Sequence, residues 1–186
     1  MTQKDAVLVK NTKFRFAFEL MIACLGSCFL AVMSQVAMRL TISPIPITLQ
    51  TLAVFLLAGV LGSQRGVYSV LAYLIQGCSG LPVFAGGVAN PLWLLGPQAG
   101  FLISFVVAAY LIGKLIERRP QGNILYLLFS LGLGQLAIFA IGMVWLSFFI
   151  GISKAFILGI VPFLPGAALK IMAGATMIRF YKAVRR

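Results

Sequence analysis

GLPVFAGGVANPLWLLGPQAG, residues 80–100, is the stretch on which the rest of the chain turns. Pro82, Pro91 and Pro97 forbid a continuous helix through it, and Gly86-Gly87 reach backbone conformations closed to other residues. It contains no charged residue. An aqueous loop would carry Ser, Lys, Asp and Glu, whereas this one carries Leu81, Val83, Phe84, Leu92, Trp93, Leu94 and Leu95. Irregular backbone at membrane depth is tolerated only where protein buries it or it lines a cavity. Two readings follow: a lid or floor of a ligand site folded inward against the protein, or an interfacial loop anchored by Trp93.

Outward from this stretch the chain is almost wholly apolar. Of its 186 residues 61% are hydrophobic and 10% charged, with a mean hydropathy of +1.06. A soluble domain of this size needs far more polar surface. The composition gives an all-α integral membrane protein, and the length suits six spans of roughly 20 residues with their connections. A net charge of +12 would suggest nucleic acid in a soluble protein. Here the cations cluster at the ends of apolar runs, where membrane topology explains them, so no nucleic-acid partner is expected. Cys24, Cys28 and Cys78 lie within apolar segments and read as small buried residues; two thiols without His or carboxylate make a poor metal site.

In chain order, residues 1–15 form a basic leader and about 16–38 the first span, in which Ala23, Ser27 and Ala31 make a small-residue stripe suited to close helix contact. SPIPIT (43–48) is a tight connection. The second span, about 47–63, carries Gln50 near its start, and the third, about 67–79, is short for a bilayer. After the 80–100 stretch come a fourth span from about 98 to 116, a charged turn at 114–123, and a long fifth run at about 123–149. The last segment, about 155–178, is interrupted by Pro162 and Pro165, carries Lys170, and ends in a basic tail at 179–186.

Six spans place both termini on one side. Lys4, Lys10, Lys13, Arg15, Arg65, Lys114, Arg118, Arg119, Arg179, Lys182, Arg185 and Arg186 lie there, twelve cations against Arg39 and Lys154 on the other side. The positive-inside rule makes the termini cytoplasmic and the 80–97 loop extracytoplasmic, in a single membrane domain covering residues 1–186.

Several chemistries are excluded. The sequence has no His and no phosphate-binding loop, and Asp5, Glu19 and Glu117, its three acids, all sit at or beyond the inner boundary. No nucleophile with a base and no metal set can be assembled, so the chain is not read as an enzyme. A proton relay of intramembrane acids is also missing. What remains is Lys170. An ionisable residue within a span is costly and defaults to a functional hypothesis. Its amine either stays uncharged, bonds a carbonyl, or meets a ligand. Pro165 favours a helix start near Gly166, whose free N–H groups would stand beside Lys170 and suit a carboxylate. Gln50, Asn90, Gln76 and Tyr73 supply neutral hydrogen-bonding groups, and amides suit a urea-like or amide-like head because they both donate and accept. Phe84 and Trp93 are candidate walls. Each of these, taken alone, also fits a helix–helix bond or an interface anchor.

PIPITLQTLAVFLLAGVLGSQRG (44–66), GLPVFAGG (80–87), LGPQAGFL (95–102) and LPGAALK (164–170) together resemble the BioY family, the biotin-binding S components of energy-coupling factor (ECF) transporters. The resemblance implies six transmembrane helices with an irregular buried loop between helices 3 and 4. It implies capture of biotin from outside, no resident cofactor, and energy supplied by a separate module of a coupling protein and ATPase subunits. A solitary homo-oligomer is the other arrangement, and the lipid bilayer is a partner in either. Of the site, the resemblance carries over Lys170; the reading of the residues adds Gln50, Asn90 and Tyr73 to orient the ligand, with Phe84, Gly86, Gly87 and Trp93 in the covering loop. The family's last motif typically reads PGDLLK, and this chain has Ala167 where that motif has its acid. Val88, Ala89, Asn90 and Pro91 follow the glycine pair where small residues are usual. Alternatives within transport are a related vitamin or another small carboxylate; outside it, a membrane scaffold protein with no ligand.

Overall fold

The computed structural model describes residues 3–38, 41, 43–87 and 91–184; Arg39 and Asn90 fall outside them. It is an all-α membrane protein. The helices are α1 (Gln3–Gln35), α2 (Gln50–Leu61), α3 (Ser63–Cys78), α4 (Ala99–Arg118), α5 (Ile124–Ile150), α6 (Ile152–Gly159) and α7 (Leu164–Val184). A single turn at Val161–Phe163 joins α6 to α7, so the last two form one segment broken where Pro162 and Pro165 stand, and the α-helical segments among the described residues number six. Among the described residues, four segments are long and apolar enough to cross a bilayer: Phe14–Gln35, Ala99–Arg118, Ile124–Ile150 and Ile152–Val184. Helix α1 already includes residues 3–15, so the basic leader is the first part of the first helix rather than a separate segment.

Helices α2 and α3 are the short ones, with 12 and 16 residues, or about 18 and 24 Å of helix. They form an antiparallel pair joined by Gly62 alone. At that end Ser63 donates from its backbone N (2.6 Å) and its Oγ (2.9 Å) to Glu117 of α4. Glu19 of α1 accepts two bonds from Arg65 of α3, the shorter 2.7 Å. Two of the three acids thus tie helices together at the end of the bundle that carries most of the cations.

Because α2 stops short, the depth above its start must be filled by something else. The segment before it does so. Strands β1 (Ala37–Met38) and β2 (Ile47–Thr48) pair antiparallel, Ala37 opposite Thr48 and Met38 opposite Ile47. Ser43 Oγ donates to Leu158 O at 2.8 Å and Gln98 Nε2 to Pro44 O at 3.2 Å. The proline-rich connection is therefore held as a plug between α1, α4 and α6.

Small residues set the helix spacing. Ala23 and Ser27 of α1 are buried against α3, where Gln76 Nε2 donates to Ser27 Oγ at 2.9 Å. That explains the small-residue stripe as internal packing. The cysteines correct the sequence reading: Cys24, Cys28 and Cys78 are all exposed. Membrane helices are apolar on the lipid side as well as the protein side, so an apolar neighbourhood does not foretell burial. The 80–98 connection is likewise only partly buried. Phe84 and Trp93 are inside, while Leu81, Leu92, Leu94 and Leu95 are exposed, and Pro91–Leu95 forms a short 3-10 helix.

Candidate functional site

The plug, the loop and the first turns of α2, α4 and α7 converge at one end of the bundle. Between them lies a cavity of about 70 Å³, room for several waters. Ile45, Pro46 and Thr48 of the plug, Gln50 and Thr51 of α2, and Phe84 and Ala85 of the loop line it. So do Gln98, Phe101, Leu102 and Phe105 at the start of α4, Gln135, Ile138 and Phe139 of α5, Phe163 of the turn before α7, and Ala167 and Lys170 in the first two turns of α7. The walls are mostly aromatic and aliphatic with a few polar groups, the make-up of a small-molecule pocket.

Lys170 enters from α7 on the face it shares with Ala167, three residues before it. Among the described residues it has no carboxylate partner; the one ion pair joins Glu19 and Arg65. Ala167 is buried and offers a methyl group where the resemblance leads one to expect an acid. The cation therefore stands in a largely apolar cavity with its charge unmatched by protein, close to the start of α7. Helix starts favour anions. A carboxylate is the complement of that corner.

Gln50 is buried and already engaged. Its Nε2 donates to Tyr73 Oη, and its Oε1 accepts from Thr48 Oγ1 at 2.9 Å. Tyr73 is wholly buried and donates to Val83 O at 3.1 Å, so it stands behind Gln50 and is not part of the cavity lining. Trp93 also lies behind the wall. Its ring packs edge-on against Phe84 with centroids 5.4 Å apart, and Phe84 packs against Tyr73 at 5.5 Å. Trp93 Nε1 donates to Cys78 Sγ at 3.2 Å.

Phe84 is thus the ring of the loop that faces the cavity, and the loop backbone around it is pinned from α1 as well. Ser34 Oγ donates to Val83 O at 2.6 Å and Gln35 Nε2 to Phe84 O at 3.2 Å. Gly86 and Gly87 have φ of 78° and 67°, the left-handed turn that only glycine adopts cheaply. They turn the chain directly after Phe84 and Ala85. Of the eight residues proposed from sequence, Lys170, Gln50 and Phe84 line one cavity. Tyr73, Trp93, Gly86 and Gly87 support its wall, and Asn90 lies outside the described residues. Gln135 lines the cavity but was not singled out from sequence. An amide in the middle of an apolar helix reads equally well as a bond to another helix, and nothing local distinguishes the two.

Comparisons with known proteins identify the family. The model of the BioY family matches residues 3–186. A Pyrococcus horikoshii protein named "Probable biotin transporter BioY" is 42% identical over 67% of this chain and 72% of its own. The "Biotin transporter BioY2" of Lactococcus lactis is 37% identical over 83% of each chain. Among solved structures, the S-component for biotin from an ECF-type ABC transporter superposes with a TM-score of 0.81, covering 98% of this chain and 95% of that one at 26% identity.

Proposed function

The chain belongs to the BioY family, and from that membership we propose how it works: it is the biotin S component of an ECF transporter, a multi-pass membrane protein that binds biotin and does no chemistry on it. The cavity with an unpaired Lys170 is the observation that carries the reading. Biotin offers a carboxylate for Lys170, an apolar ring and chain for Phe84, Phe101, Phe105 and Phe139, and a cyclic urea for the amides. The 80–97 loop covers the ligand through Phe84 and Ala85.

In the finer arrangement proposed here, the six segments all span the membrane as one domain. The termini and the basic tail are cytoplasmic and the loop end faces outward. The short α2 and α3 reach across because the plug and the loop complete their depth. Energy comes from a coupling protein and ATPase subunits, the partners that an ECF component implies.

Biotin-dependent thermal stabilisation of the purified chain tests the reading. A ligand that binds only the folded state stabilises it by about 4 kcal/mol at a thousandfold excess over Kd. Biotin is expected to raise Tm by several degrees, and lipoate, a carboxylate without the urea ring, much less. No rise with millimolar biotin would defeat the reading. An equal rise with lipoate would turn it toward a general small-carboxylate carrier.

A further inference from the structure

The backbone that carries Phe84 into the cavity wall is held from outside the cavity. Val83 O accepts two bonds, from Ser34 Oγ at 2.6 Å and from Tyr73 Oη at 3.1 Å. Phe84 O also accepts two, from Gly87 N at 3.0 Å and from Gln35 Nε2 at 3.2 Å. Gln35 Nε2 donates to Ser34 Oγ as well, at 2.9 Å, so the two side chains act as one unit. Ser34 is wholly buried, and neither it nor Gln35 is among the described residues that line the cavity. Both stand in the last turn of α1, just before the strand at Ala37–Met38 that pairs with the plug.

Resting on the biotin reading above, we infer that Ser34 and Gln35 are positioning residues for the Phe84 wall, a latch at the end of α1 that sets how fast the ligand enters and leaves. The hydrogen bonding suits a catch that opens and recloses. Ser34 Oγ and Gln35 Nε2 also reach Ala31 O within α1, at 2.7 and 3.3 Å, the back-bond that such side chains make in helices. Both donors therefore keep a partner when the loop departs, and Val83 O keeps its bond from Tyr73 when Ser34 lets go. No buried group is orphaned, so opening avoids the larger penalty of an unmade bond. Because these bonds lie within the protein, they act on the opening of the loop and add no contact to the ligand. Weakening them quickens entry and exit together, and Kd changes less than either rate.

The test measures biotin association and dissociation rates on the full chain in detergent, for wild type, Ser34→Ala, and Ser34→Ala combined with Gln35→Met. Each bond lost to the loop is expected to raise both kon and koff by about two- to tenfold. Ser34→Ala serves alone if the double variant does not fold, since Val83 O retains Tyr73. Hydrogen exchange at the Gly87 amide, which donates to Phe84 O, should quicken in the same variants. Unchanged rates would overturn the assignment. So would a weaker Kd at unchanged kon, the signature of a lost contact rather than a loosened latch. Failure of the wild-type chain to bind biotin is a different result, because it sinks the underlying reading. Exchange at Gly87 then decides the latch by itself: faster exchange in Ser34→Ala supports it, and unchanged exchange removes it.

Discussion

Replacing Gly77 by alanine at an exposed helix position would stabilise the helix by about 1 kcal/mol. At this position the opposite is expected. A β-carbon on Gly77 would overlap Cζ and Cε2 of the Phe84 ring and come within 2.7 Å of Cε1. Those atoms belong to a buried ring wedged between Tyr73 and Trp93, so a small shift does not relieve the clash and the ring must leave. Unburying one Phe costs about 1.5–3 kcal/mol, and losing two edge-on aromatic contacts costs about 0.5–1.5 kcal/mol each. After the gain in helix propensity the net loss is about 1.5–5 kcal/mol. Because Phe84 is also a cavity wall, biotin affinity should fall with stability. Thermal unfolding and biotin titration of Gly77→Ala, Phe84→Ala and the double variant form a cycle that isolates the clash. The double variant should be hardly worse than Phe84→Ala alone. A Gly77→Ala protein that is as stable as wild type and binds biotin normally would refute the reasoning.

Lys170→Met keeps the apolar stem and removes the charge and its donors, so the fold should survive while biotin affinity falls by about ten- to over a hundredfold, the worth of a charge-assisted bond; isothermal titration beside a melting curve checks both, and normal affinity would remove Lys170 from the site. In a background with Cys24, Cys28 and Cys78 replaced, Leu92→Cys should react with an impermeant thiol reagent from outside and Gln121→Cys only from inside; the reverse pattern would invert the proposed topology.

Much of the fold was legible because membrane helices announce themselves by length and hydropathy. The proline break in the last segment and the shortness of the third helix could be read from residues alone. Their consequence could not. A helix of 12 residues (α2) implies missing depth, but only the pairing of Ala37 with Thr48 and the bonds of Ser43 and Gln98 reveal that a plug fills it and leaves a cavity beneath. The site divides in the same way. Lys170 was visible because a cation in an apolar segment is costly wherever it points. Tyr73 and Gln50 were visible as polar residues in apolar helices. That Tyr73 serves Gln50 and the loop, and not the cavity lining, depends on contacts 23 and 10 residues away. The cysteines failed as core residues for a related reason: on α1, Cys24 and Cys28 lie beside Ala23 and Ser27 in sequence, and only the position of α3 decides which pair is inside.

Ala167 connects the remaining observations. With an acid at that position, the cation of Lys170 would have a partner one helical turn away. With alanine, Lys170 lines the cavity with no carboxylate partner among the described residues. Its cost is carried by the ligand-free protein and would be relieved by a ligand that supplies an anion. Binding free energy is the difference between the bound and free states, so a site left unmatched when empty gains more from a ligand that completes it. On this view the absent acid does not weaken the case for a carboxylate ligand; it leaves the carboxylate as the nearest group able to complete the charge.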